Sequence, residues 1–156
     1  MEEYAHFSIS PLSDTESSLI NKQGQRIARI RGIVLEKAFY IDSGRFLVVT
    51  TDDCPFEEGF HVSLIDEDGS LLETTHRVIP YTPGIVTAVY AENSDTIKIA
   101  LHDGETIRIT LIPEGTRNPA RYIQKGFRSS NGIFGKHYLQ VDSTSESAVQ
   151  QKREFL

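Results

Sequence analysis

The chain has 156 residues, 38% of them hydrophobic and 24% charged, with a net charge of −6, one cysteine and no tryptophan. That balance excludes a disordered chain and fits one soluble domain, 1–156, with an ordinary core. It also lacks the run of about 18 apolar residues that a membrane span needs. The acidic start MEEYAHFSIS has neither the positive charge nor the apolar stretch of a secretory leader. A lone cysteine cannot close an internal disulfide, so a cytoplasmic location is expected.

In chain order, residues 11–24 (PLSDTESSLINKQG) are polar and punctuated, and read as a loop. From residue 26 onward β-branched and aromatic residues dominate, with alternation of period two. Strands are expected at 26–34, 35–41 and 45–51, the last two separated by Asp42-Ser43-Gly44. FHVSLID (60–66) and SLLETT (70–75) are joined by Glu67-Asp68-Gly69, and a three-residue turn there would pair Leu64 with Leu72. Pro80-Tyr81-Thr82-Pro83-Gly84 forces an excursion before the strand at 84–91.

TIKIALH (96–102) and ETIRITLI (105–112) allow a test of register. A two-residue Asp103-Gly104 loop would set Ile99 opposite Arg108, mixing an apolar face with a polar one. A three-residue His102-Asp103-Gly104 loop pairs Ile99 with Ile107 and Ile97 with Ile109. It also puts Gly104 at the left-handed position such a turn requires. Further on, Asn131-Gly132 signals a hairpin between 121–127 and 133–141, and Ser143-Thr144-Ser145-Glu146 has the form of a helix capping box. The expected fold is all-β: an antiparallel meander of about 8–10 strands forming a sandwich or partly open barrel, with a short helix or frayed tail over 143–156.

Catalytic and metal motifs are weak. The acids of TTDDCPFEEGFH (50–61) come as adjacent doublets, which point to opposite sides of an extended chain and do not suit one ion. Asp66-Glu67-Asp68-Gly69 resembles half a calcium loop, but the twelfth position is Arg77 instead of glutamate. Cys54 lies among Asp52, Asp53, Glu57 and Glu58, whose charges disfavour a thiolate nucleophile. The five histidines lack metal spacing, and no phosphate loop or nucleophile elbow occurs. No metal or cofactor is therefore expected, and no catalytic residue.

Charge is unevenly placed: residues 1–114 carry −10 and residues 115–156 carry +4. The leading expectation is a non-enzymatic binding protein whose acidic loops, Asp52, Asp53, Glu57 and Glu58 with Asp66, Glu67 and Asp68, face a cationic protein partner. Its general profile resembles that of small acidic proteins that neutralise basic toxins, as bacterial immunity proteins do. A second reading uses residues 117–138, where Arg117, Arg121, Lys125, Arg128, Lys136 and His137 alternate with Tyr122, Phe127, Phe134 and Tyr138. Cations interleaved with aromatics suit nucleic acid or a phosphate ligand, and His137 could act there as an acid or base. A third is an enzyme or carrier with its site inside a barrel.

Overall fold

The computed structural model describes residues 1–41, 43–53, 59–77 and 85–145. Among these described residues, fourteen strands, numbered in chain order, fall into three antiparallel sheets. The largest has the order β1 (Glu2–Glu3), β5 (Val34–Tyr40), β6 (Phe46–Thr51), β7 (Phe60–Ile65), β8 (Leu71–Arg77), β13 (Phe127–Ser129), β12 (Ile123–Gln124). The second runs β14 (His137–Ser145), β11 (Glu105–Thr116), β10 (Thr96–Leu101), β9 (Val86–Ala91). The third runs β2 (Ser8–Pro11), β3 (Glu16–Ile20), β4 (Arg26–Arg31).

The seven-stranded sheet is the middle layer, because its strands send alternate residues into two different cores. Leu47, Val49, Phe60, Val62 and Leu64 pack with Ile97, Ile99, Ile107 and Ile109 of the four-stranded sheet. The intervening Val48 and Ile65, with Ala38, pack with Leu19 and Ile30 of the three-stranded sheet. FLVVTT and FHVSLI are consequently covered on both faces, and every residue of β7 is buried. Such strands read as unbroken apolar runs instead of alternations.

The turn between β10 and β11 has the register that its glycine requires. Ile99 lies opposite Ile107 and Ile97 opposite Ile109, with Gly104 at φ 88°. All four isoleucines are fully buried. The three-residue turn between β7 and β8 also forms, closed by Asp66 and Ser70. Beyond it the ladder slips: Ile65 pairs with Leu71 but Leu64 pairs with Glu73, not Leu72. Leu72 is the extra residue of a bulge, which sends every later side chain of β8 to the face opposite the expected one.

Other expectations are corrected. The strands exceed 8–10, partly because β1 and β12 have two residues each and partly because residues 11–24 contain β3. Leu19 of that polar-looking segment is fully buried, and Ser17 satisfies its hydroxyl on the Gly32 carbonyl at 2.7 Å. Among the described residues the sheets stay open and do not close into a barrel. Within the expected strand 121–127, Lys125 and Gly126 both take positive φ and form a two-residue hairpin turn. Asn131-Gly132 makes no hairpin: β13 pairs with β8 and β14 with β11, so the segment between them crosses from one sheet to the other. The helix expected from Ser143 is also corrected, since Ser143, Thr144 and Ser145 extend β14 opposite Ile107, Thr106 and Glu105. Residues 146–156 lie outside the described residues.

Gly32, at the corner between β4 and β5, combines a φ of +93° with a crowded site. A Cβ there would lie 2.4 Å from Thr50 Oγ1 and 2.6 Å from Thr50 Cβ. Gly24 has a similar φ of +79° but open space around it. Gly24→Ala should cost about 1 kcal/mol of backbone strain, and Gly32→Ala about 2–4 kcal/mol because overpacking adds to the same strain. Urea unfolding of both variants measures the difference, and equal losses would contradict this packing.

Candidate functional site

The bulge at Leu72 decides what β8 presents on each side. Toward the four-stranded sheet it turns Glu73, Thr75 and Arg77; toward the three-stranded sheet it turns Thr74 and His76. Glu73 is only 1% exposed, yet it is fully bonded. Its Oε1 accepts the backbone N–H of Tyr138 and of Leu139, both at 2.9 Å. Its Oε2 accepts the Ser129 hydroxyl at 2.5 Å and His137 Nδ1 at 2.9 Å. Ser129 and Glu73 both meet the same ring nitrogen of His137, so this is not the serine–histidine–acid relay, which needs the two partners on opposite nitrogens. The group is a tie between sheets. Arg77 makes a second one, to Glu105 at 2.8 Å across the same interface, with Ser143 donating to the other Glu105 oxygen.

The opposite face of the middle sheet carries a row of polar side chains at one level. The ladder sets Thr50 opposite His61, His61 opposite His76, His76 opposite Arg128, and Arg128 opposite Ile123. Directly opposed residues share a face, so these side chains stand side by side across five strands. His61 is 3% exposed; its Nε2 donates to Asp52 Oδ1 at 2.9 Å, which leaves Nδ1 buried and unpartnered among the described residues. The His76 ring is 5.8 Å away, and its Nδ1 is likewise buried without a partner. Burial, then the charges of Arg31, His61 and Arg128, lower the His76 pKa from 6.5 to about 4, with Asp52 opposing.

The expected acidic surface is divided. Asp52 and Asp53 lie beyond the β6 end of the β6–β7 pair, while Asp66, Glu67 and Asp68 form the turn at the far end of β7. Six residues of extended strand, about 20 Å, separate the two sets. Asp52 is occupied by His61. Glu57, Glu58 and Cys54 lie outside the described residues.

The expected basic face is divided too. Arg117 donates to the Phe134 carbonyl at 3.2 Å, whereas Arg121 and Lys125 line a groove of about 270 Å³ with Gln140 and Asp142. Arg128 faces the histidine row on another side. Lys136 offers its carbonyl to Asn131 Nδ2. His137 is fully buried against Glu73 and cannot reach a phosphodiester. Phe127 is core and Tyr138 packs against the core under Arg45, leaving Phe134, 83% exposed, as the one fully open aromatic of the four. No continuous stacking platform results.

Sequence reasoning missed Glu73 as the tie between sheets, and His61 and His76 as neighbours on the other face. The signal available for His61 was its place inside FHVSLI, a run whose other residues imply burial on both faces. No group of three or more His, Cys, Asp or Glu side chains among the described residues could hold a metal ion. No helix of the described residues is long and apolar enough to cross a membrane. No family model matches the chain, and no curated protein or solved structure is significantly similar to it.

Because His76 takes its proton near 6.5 when unfolded and near 4 when folded, the unfolded chain binds the extra proton between those values. Acidification across that window therefore favours unfolding. His76→Gln should show a shallower loss of stability than the wild type from pH 6.5 down to about 4, measured by urea midpoints. Parallel curves would contradict a neutral, half-buried His76.

Proposed function

We propose that the chain is a non-enzymatic binding protein that docks a cationic protein partner on its Asp66–Glu67–Asp68 turn, and that it works in the reducing cytoplasm. An inhibitor of a basic toxin, of the immunity type, is the form of this reading that the sequence favours. The observation that carries it is a charged turn ordered before any partner arrives. Asp66 pairs with Arg45 at 3.6 Å and accepts the Glu67 N–H, while Asp68 accepts the Ser70 N–H at 2.9 Å. Those Ser70 bonds hold the Asp68 carboxyl below the usual carboxylate range, which favours its ionised form. The Glu67 side chain lies over the neighbouring turn, 3.2 Å from a Cβ position at Gly44. Two adjacent hairpin turns thus support exposed carboxylates on strands buried from both sides, an arrangement that limits the ordering cost of docking.

Complementary charge acts mainly on the rate of encounter. A basic partner co-purified with the chain should associate at least about ten-fold more slowly with the Glu67→Lys, Asp68→Lys double variant, with unchanged fold by circular dichroism. Added salt should slow the wild type in the same way. Asp53→Asn, at the other end of β7, should leave the rate unchanged. An association rate that ignores the double substitution would reject the proposal.

A further inference from the structure

We propose that Asn131 is a deamidation site in the folded chain, and that its conversion to an acid unlatches the loop carrying Ile133 and Phe134. Asn131 lies outside the acidic docking turn, and its chemistry needs only water, not a partner. Of the four asparagines, Asn21, Asn93, Asn118 and Asn131, only Asn131 precedes a glycine. Glycine has no Cβ to crowd its own backbone nitrogen, so that nitrogen can approach the preceding side chain closely. A Cβ at Gly132 would meet nothing within 4 Å, so the surroundings leave the approach open as well. Both residues are half-buried, and solvent reaches them.

The Asn131 amide holds the loop shut. Its Nδ2 donates to the Leu72 carbonyl at 2.7 Å and to the Lys136 carbonyl at 2.6 Å. Two carbonyl oxygens facing one atom identify it as the amide nitrogen, whose two hydrogens they share. That nitrogen ties the start of the loop both to β8 and to the loop's own end. The backbone is closely fitted too: a Cβ at Gly135 would collide with the Asn131 carbonyl. Arg117 donates to the Phe134 carbonyl at 3.2 Å, so Phe134 is held 83% exposed on a closed frame. The Asn131 N–H donates to Ser129 Oγ at 3.1 Å, the hydroxyl that itself donates to Glu73. The latch thus adjoins the buried tie between the sheets.

The Gly132 nitrogen loses its proton to solvent base and attacks Asn131 Cγ, closing a succinimide ring. The Cγ–Nδ2 bond breaks, and Nδ2 leaves as ammonia with a proton from water. Water then adds to one of the two ring carbonyls and opens the ring, giving aspartate or isoaspartate. Nothing is oxidised or reduced. Either product puts a carboxylate oxygen where the donating nitrogen was, and a carboxylate only accepts. The Leu72 and Lys136 carbonyls then each lose a donor and face a negative charge. Isoaspartate also lengthens the main chain by one methylene, where Gly135 and the Asn131 carbonyl leave no room.

The test incubates the full folded chain in mildly alkaline buffer and locates the product by peptide mass. A gain of about 1 Da, an amide turned to an acid, is expected at Asn131 ahead of the other three asparagines. Higher pH should speed it, because the attacking nitrogen must lose a proton. The product's effect is read by chymotrypsin, which cuts after exposed phenylalanine only where the loop opens. Asn131→Asp should be cut after Phe134 at least about ten-fold faster than the wild type, and Asn93→Asp at the wild-type rate. Slow exchange of the Ile107 and Ile109 amides shows that the fold is kept. Where Asn131→Asp does not fold, the deamidated fraction of the incubated chain, separated by its extra charge, gives the same reading. No gain at Asn131 in the folded chain, under conditions where the urea-unfolded chain acquires it, would overturn the site. Cutting after Phe134 at the wild-type rate in the deamidated chain would overturn the latch.

Discussion

A buried carboxylate governs this structure. Taking an ionised glutamate out of water costs several kcal/mol unless hydrogen bonds replace its hydration. Glu73 recovers them from two backbone amides of β14, the Ser129 hydroxyl and the His137 ring. Those four donors arise in β13 and β14, whereas Glu73 itself sits in β8. The requirement to satisfy one side chain thus fixes how the crossing segment 130–136 returns the chain from the middle sheet to the four-stranded sheet. Apart from the Arg77–Glu105 tie, most of the contact between these layers is apolar; here it is directional, which helps give the sandwich a single register.

The same constraint builds the candidate site. Glu73 can face the four-stranded sheet only because Leu72 is bulged, and the bulge necessarily turns Thr74 and His76 the other way. Had β8 continued without it, His76 would have entered the apolar core and Glu73 the outer face, leaving His61 without its neighbour. The middle sheet therefore divides its outer face into two parts. At the level of Val48 and Ile65 it is apolar and covered by β3 and β4. Near the Gly32 corner it is a polar row that includes Thr50, His61 and His76. The Asp66–Glu67–Asp68 turn occupies the remaining end of β7.

Much of the architecture is legible in the sequence, for reasons specific to each segment. Ile97, Ile99, Ile107 and Ile109 announce their pairing because both strands alternate cleanly and Gly104 permits only one turn length. Equal clarity was lacking in 70–77, where LLETTHR carries no glycine or proline to mark the bulge, and where glutamate inside the core contradicts the usual preference of that residue. Residues 11–24 looked like loop because Ser17 and Ser18 are polar, but one face of β3 needs only Leu19 to anchor it. Asn131-Gly132 carries a strong local turn signal, and tertiary pairing with β8 and β11 overrides it. The candidate site is the least visible element of all. His61, His76 and Arg128 are brought together solely by register across distant strands, and no spacing along the chain encodes that.

The most direct test of the account is amide hydrogen exchange at Tyr138 and Leu139. Both N–H groups are held by Glu73, so they should exchange as slowly as the amides of Ile107 and Ile109 in the adjoining core strand. In Glu73→Gln, where the acceptor loses its charge, these two amides should exchange markedly faster while β10 and β11 stay protected. Rapid exchange at Tyr138 and Leu139 in the wild-type chain, beside a protected β11, would contradict the claim that a buried glutamate joins the sheets.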